Sequence, residues 1–361
     1  MRLTLFLFTS ALFAAAPLRA CSVPVFRYAL EHWPADPYEA VVVHRGPLSP
    51  AQEAAVRDLG ADGLAGRLHA NVSARTVDLD REPAPDFSAA ALPWLVVKVP
   101  RTVQSGATVW AGPLTEANVQ RLLDSPARAE VVERLGAGQS AVWVLIESGD
   151  RARDSAATQL LEAQLAELSA TLALPQLEPS DIANGLVSVA QEDLRLEFSV
   201  MRLTRDDPAE QPFLQMLLGT ERDLANAREP IAIPIFGRGR ALYAFVGAGL
   251  QRETIGQAAR FLIGKCSCQV KEQNPGADLL LAADWEALVK AHTVAAPDLP
   301  TLAELARSAP ETVTFGGEGK GTIATEQQAE AMSARNVYLV IAIVGALLAA
   351  ASLLGLLGRG R

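Results

Sequence analysis

The segment FLIGKCSCQVKEQ, Phe261 to Gln273, holds two of the chain's three cysteines, Cys266 and Cys268, with Ser267 between them. Residues two apart on an extended chain point to the same face, so both thiols look the same way. Their Cα atoms then stand about 6.5–7 Å apart, the outer limit for a disulfide. A direct bridge needs a turn and carries strain, and strained bridges are the labile, oxidising kind. One chemistry open to the pair is therefore thiol–disulfide exchange. A second is binding of a soft ion such as Cu(I), or half of a zinc site, but the nearest further ligand types are His292 and the distant Cys21. A third is a structural staple in which Cys21 closes a loop of about 245 residues with Cys266 or Cys268. Cys21 has a competing fate. LRAC, Leu18 to Cys21, has the Leu, small residue and Cys of a lipoprotein cleavage site, with Arg19 a poor fit. Lipidation of Cys21 would leave Cys266 and Cys268 to each other.

Other reactive types form no constellation. The histidines at 32, 44, 69 and 292 have neither ligand nor triad spacing, and GxSxG and HExxH are absent. His44 ends an apolar run and reads as a core or rim residue. Asp78, Asp80, Glu82 and Asp86 form a loose acidic cluster without the glycine-punctuated loop of a Ca²⁺ site, so a solvated loop is expected. GGEGKGT, from Gly316, lacks the spacing of a phosphate loop and no apolar strand precedes it. No cofactor, metal or catalytic residue is assigned beyond the alternative of Cys266 and Cys268.

Composition narrows the partners. The net charge is −9, and no run of Lys or Arg forms a basic stripe, which argues against nucleic acid. Both ends carry membrane signals. Residues 1–20 open on one Arg and run apolar from Leu3 to Ala16, too short to span and fitting a secretory signal. Val337–Leu357 is uncharged throughout and long enough for a bilayer core as a transmembrane helix. Arg359 and Arg361 follow it, so the bulk of the chain is expected outside the cytoplasm. Ala342, Ala346 and Ala350 share a stripe of that helix, spacing that permits a homodimer or a partner helix.

Between these ends the reading is α/β, with one element order used twice. In residues 21–138, YEAVVVHRG reads as a strand and SPAQEAAVRDLG as a helix with Ser49 as cap, Pro50 at its first position and Gly60 as its stop. NVSARTVDLD, LPWLVVKVP and GATVWAGP read as strands, and the next helix breaks near Pro126. In residues 139–306, SAVWVLIES is a strand, and a long helix follows with Leu160, Leu161, Leu165, Leu168 and Leu172 on one face. LRLEFSVMRLTRDD is expected as a long strand, PAEQPFLQMLLGT as a short helix, EPIAIPIFGRGRALYAFVG as a hairpin and QRETIGQAARFLIG as the closing helix. Residues 307–335, rich in Gly, Thr and small residues, read as a flexible stalk.

The segment Pro230–Gly264 resembles the end of a thioredoxin fold, in which a proline introduces the first strand of the last hairpin and a glycine after it leads into the last helix. Pro230 and Gly247 hold those positions, and Pro93 and Gly112 hold them in the first half. The resemblance implies two tandem thioredoxin-like domains, with cis peptide bonds before one or both of Pro93 and Pro230. It also implies an empty catalytic position. The family's CxxC opens the first helix, where this chain reads HRGPLSPAQ and ESGDRARDS. CSVPVFRYALEHWPADPYEAVVV and CSCQVK also resemble segments shared by a group of secreted, membrane-anchored bacterial proteins of uncharacterised activity. Together these imply a membrane-tethered, periplasmic binding or accessory protein whose partner is another extracytoplasmic or membrane protein. Thiol–disulfide exchange by Cys266 and Cys268 is the alternative.

Overall fold

A computed structural model describes residues 21–82, 91–100, 107–266 and 270–291. The expected signal, stalk and transmembrane segments, together with His292, Asp86 and Cys268, lie outside these. No helix among the described residues is long and apolar enough to cross a membrane.

The chain enters through α1, Val25–His32, which the sequence reading left unassigned. β1, Tyr38–His44, is a valine-rich strand buried along most of its length. α2, Pro50–Asp58, begins where local chemistry dictates. The Ser49 hydroxyl accepts from the Gln52 amide, Gln52 Oε1 accepts from the Ser49 amide, and Pro50 needs no donor at that position. The short α3, Leu64–Arg67, leads to β2, Val72–Asp78. β3, Trp94–Lys98, and β4, Thr108–Pro113, complete a four-stranded sheet of order β2-β1-β3-β4. β1 and β2 are parallel, and β3 is antiparallel to both neighbours. α4, Glu116–Leu123, and α5, Pro126–Gly136, are separated at the expected proline.

The second half repeats this order. β5, Ala141–Ile146, is buried throughout. α6, Arg151–Thr171, buries Leu161, Leu165 and Leu168 on one face. After the short α7, Pro179–Ala183, come β6, Phe198–Leu203, and α8, Gln211–Leu218. β7, Ile231–Phe236, pairs antiparallel with β5, while β6 pairs parallel with it. The returning arm of the hairpin is split into β8, Arg240–Ala241, and β9, Phe245–Val246. Pro234 explains the gap. Its carbonyl accepts from Leu242 N at 3.0 Å, so this edge of Pro234 faces the returning arm, and proline has no N–H to give there. α9, Arg252–Ile263, closes the repeat. β10, Ala277–Asp278, pairs with β8, and α10, Trp285–Ala291, follows.

Two expectations need correction, and one is met at a single position. The strand expected from Leu194 onward is only the six residues of β6. Its approach is bonded to Ser140 instead, whose hydroxyl donates to Arg195 O and whose amide donates to Glu197 O. Residues 21–33, counted with the first half, pack on the second. Val23, Phe26, Tyr28 and Trp33 share a buried cluster with Trp143, Leu161, Phe236 and Leu262. The Leu92–Pro93 peptide bond is cis, but Glu229–Pro230 is not. It keeps the trans form that X–Pro bonds favour.

The two halves are not separate bodies. The described residues fall in one compact unit, and one apolar cluster takes Val42 and Leu95 from the first sheet with Val144 and Ile233 from the second. The segment after α9 adds polar ties. Asn71 Nδ2 donates to Leu279 O, and Leu281 N returns a bond to Asn71 Oδ1, each 3.0 Å. Lys271, which follows the two cysteines, is buried and donates to Asp36 and, at 2.8 Å, to Asp278 Oδ2. Arg240 Nη1 holds the other oxygen of Asp278 at 2.8 Å. A buried carboxylate shared by two cations costs desolvation, so it specifies geometry more than it adds stability.

Candidate binding site

Two cavities open at the carboxyl ends of the parallel strand pairs, the end at which open α/β sheets present ligand crevices. The first has a volume of about 730 Å³ and is lined by His44, Gly46, Pro47, Thr76, Asp78, Arg81 and Glu82. β1 delivers His44 and β2 delivers Asp78, and the register sets them side by side. His44 Nδ1 lies 2.8 Å from Gly46 O. A carbonyl only accepts, so Nδ1 is the donor in this bond. Asp78 Oδ1 accepts from Asp80 N at 3.1 Å and Gly46 N at 3.3 Å. These backbone donors, the Asp80 amide foremost, hold the Asp78 carboxyl below the usual carboxylate range. Arg45 pairs with Asp80 at 2.8 Å, and Arg81 stands 3.5 Å from Asp78. As far as Glu82 the expected acidic loop is thus a rim in which Arg45 and Arg81 stand against Asp80 and Asp78.

The second cavity, about 320 Å³, is more apolar, with Ala156, Ala157 and Leu160 of α6 against Pro230 and Leu250, and Arg153 and Glu229 among its lining. The loop beside it is closed by a buried carboxylate. Asp154 Oδ1 accepts from Ser148 N at 2.7 Å and from its hydroxyl at 2.8 Å, and Oδ2 accepts from Gly149 N at 3.0 Å. Asp150 caps α6 by accepting from the Ala152 and Arg153 amides. Ser148 is spent on this network, and neither cavity is lined by a cysteine or a serine.

Cys21 and Cys266 lie elsewhere, in the apolar cluster behind the second sheet. Pro24 and Lys265 form an antiparallel bridge, with Cys266 N donating to Val23 O at 2.8 Å and Val25 N to Gly264 O at 3.0 Å. This brings the ends of a segment of about 245 residues together. Cys21 is 6% exposed and Cys266 1%. Burial pushes the Cys21 thiol up, against a hydrogen bond from Val23 N–H. Tyr28 is raised as well, by burial and by both neighbouring cysteines. Ser22 fixes the entry, its amide donating to Asp181 Oδ2 at 2.7 Å and its hydroxyl accepting from Glu178 N at 2.8 Å.

Pro93 precedes β3 and its carbonyl accepts from Leu114 N at 3.1 Å; Pro230 precedes β7 and its carbonyl accepts from Gly247 N at 2.9 Å. His32 and His69 stay apart from both cavities, one against Leu186 O and one 3.7 Å from Asp284. Among the described residues no His, Cys, Asp and Glu cluster is arranged to hold a metal ion. The lining residues Thr76 and Arg81 carry no signal in sequence, because nothing local marks a residue as facing a cavity. No family model matches the chain, and no curated protein is similar to it.

Proposed function

We propose that the chain is a membrane-tethered, extracytoplasmic binding protein built on two thioredoxin-like halves that carry no thioredoxin catalysis. One observation carries this reading. The two loops where that chemistry would sit, His44–Pro50 and Glu147–Asp154, are hydrogen-bonded and lack a thiol, and each lies beside an open cavity. The strand order of both sheets, with the third strand antiparallel, supports the likeness of fold. Fold alone names no activity, so the reading rests on the sites.

Burial speaks against the oxidoreductase alternative. Exchange requires an accessible thiolate, and Cys266 is enclosed. Cys21 is read as a structural thiol seated beside the 264–266 segment, since a thioether lipid on its sulfur would need a path out of the core. The periplasmic address, the signal at 1–20 and the anchor Val337–Leu357 belong to the same proposal. Full-length chain in detergent should not reduce insulin, and pull-down after crosslinking in membranes should return a defined extracytoplasmic partner. Insulin turnover with a reduction potential above about −200 mV would overturn the binding reading.

A further inference from the structure

β2 lies at the edge of the first sheet, and among the described residues no strand pairs with its outer side. Its register with β1 is unbroken from Tyr38↔Val72 to His44↔Asp78. Tyr38 N donates to Asn71 O and Leu79 N donates to His44 O, both at 2.9 Å. In a parallel ladder those two bonds decide which residues face inward. Ser73, Arg75 and Val77 direct their N–H and C=O groups at β1. Ala74 and Thr76 direct theirs away, and among the described residues nothing pairs with them. Both residues are exposed. Natural edges are commonly blunted by proline or a bulge, and β2 has neither.

We propose that β2 accepts an extended peptide segment of a partner protein as a fifth strand of the first sheet. This rests on the binding reading above and supplies the partner's form. The side chains along the edge describe the segment. Arg75, half exposed, stands at the middle of β2 and pairs with Glu39 at 2.7 Å. A second copy, paired about the strand's midpoint, would set Arg75 against Arg75, and like charges directly opposite destabilise a sheet. A partner strand with a carboxylate at that place gains an opposite-charge pair instead. Val77, on the same face, packs with Val41 and Val43, so an aliphatic side chain two positions along extends that cluster. Small or β-branched residues suit the other face, beside Ala74 and Thr76. Past Asp78 the edge runs into the polar cavity of His44 and Arg81.

The probe is a fluorescein-labelled Thr-Val-Thr-Asp-Thr-Val-Thr peptide, titrated into the full-length chain by anisotropy. Paired antiparallel with Asp opposite Arg75, its two central threonines exchange backbone bonds with Ala74 and Thr76. N-methylating those two threonines should weaken binding at least about ten-fold, and N-methylating the two valines should change it less than about two-fold. Thr76→Pro, whose N–H is outside the β1 ladder, should weaken binding equally while the melting temperature holds. Hydrogen exchange should slow at residues 72–78 when the peptide is bound. Absence of binding, or equal effects of the two N-methylated peptides, would overturn the proposal. So would a dimer in light scattering that Thr76→Pro dissolves, which would assign the edge to a second copy. If Thr76→Pro keeps a crosslinked partner while the probe fails, the edge assignment falls and the binding reading stands. If no partner is captured and the probe fails too, both fall.

Discussion

Replacing Arg128 with methionine should cost the chain about 3 kcal/mol. Arg128 lies on α5 and is 1% exposed. Its Nη1 donates to Leu122 O at 2.7 Å and to Leu280 O at 3.3 Å, its Nη2 donates to Arg121 O, and its Nε donates to Ser125 Oγ at 2.9 Å. Arg121 and Leu122 lie in the last turn of α4, so the guanidinium satisfies carbonyls that a helix leaves open and sits at the negative end of its dipole. Leu280 belongs to the segment that runs back from the second half, so one side chain ties three parts of the fold. Four bonds from a charged donor, at about 1.5–3 kcal/mol each, would sum to more than 6 kcal/mol. Two effects reduce the loss. Burial disfavours the charge, pushing the Arg128 pKa down to about 10, and that cost disappears in the variant. Methionine also recovers part of the packing of the arginine stem. With about 2–4 °C per kcal/mol for a unit of this size, the melting temperature should fall by roughly 6–12 °C. Arg128→Lys keeps the charge but cannot fork to the same acceptors, so it should fall between wild type and methionine. The assay is thermal unfolding of the full-length chain followed by tryptophan fluorescence. A methionine variant that melts within about 1 °C of wild type would refute the capping account, since the open carbonyls would then cost nothing.

Asp181→Ala removes the acceptor that holds the Ser22 amide, and Cys21 should then be alkylated by maleimide at least about ten-fold faster under native conditions; an unchanged rate would mean that Asp181 does not seat the segment. The Asp78 and Asp150 carboxyls are held low chiefly by the Asp80 and Arg153 amides, so their contribution is present above the ordinary Asp pKa and is lost as pH falls through the depressed values. Replacing both by Asn should flatten the acid limb of a stability–pH curve below about pH 4 and leave its shape near pH 7 unchanged. A reporter fused after Arg361 should be active only when it is a cytoplasmic one; export of that reporter would refute the topology.

Much of the frame was legible before any coordinates, because it rests on interactions between near neighbours. The valine run of β1, the Ser49–Gln52 cap with Pro50 and the break at Pro126 are decided within a turn or a strand, so pattern and residue type suffice. The repeated order of strands and helices followed from them. The split at Pro234 was visible as a residue but not as an event, since proline disrupts only the side of a strand that a partner faces. α1 escaped because CSVPVFRYALEH is helical for the apolar face it packs against the second sheet, and no sequence period names that sheet. The rest depended on residues remote in the chain. Cys21 is brought to the 264–266 segment, Arg128 to Leu280, and Lys271 to Asp36 and Asp278, each by the folded path of the backbone between them. A carboxylate or a thiol carries the same letter whether it meets water, a cation or a hydrocarbon wall. Which of these it meets depends on how far the chain returns on itself, and that distance is set by the packing of the two sheets.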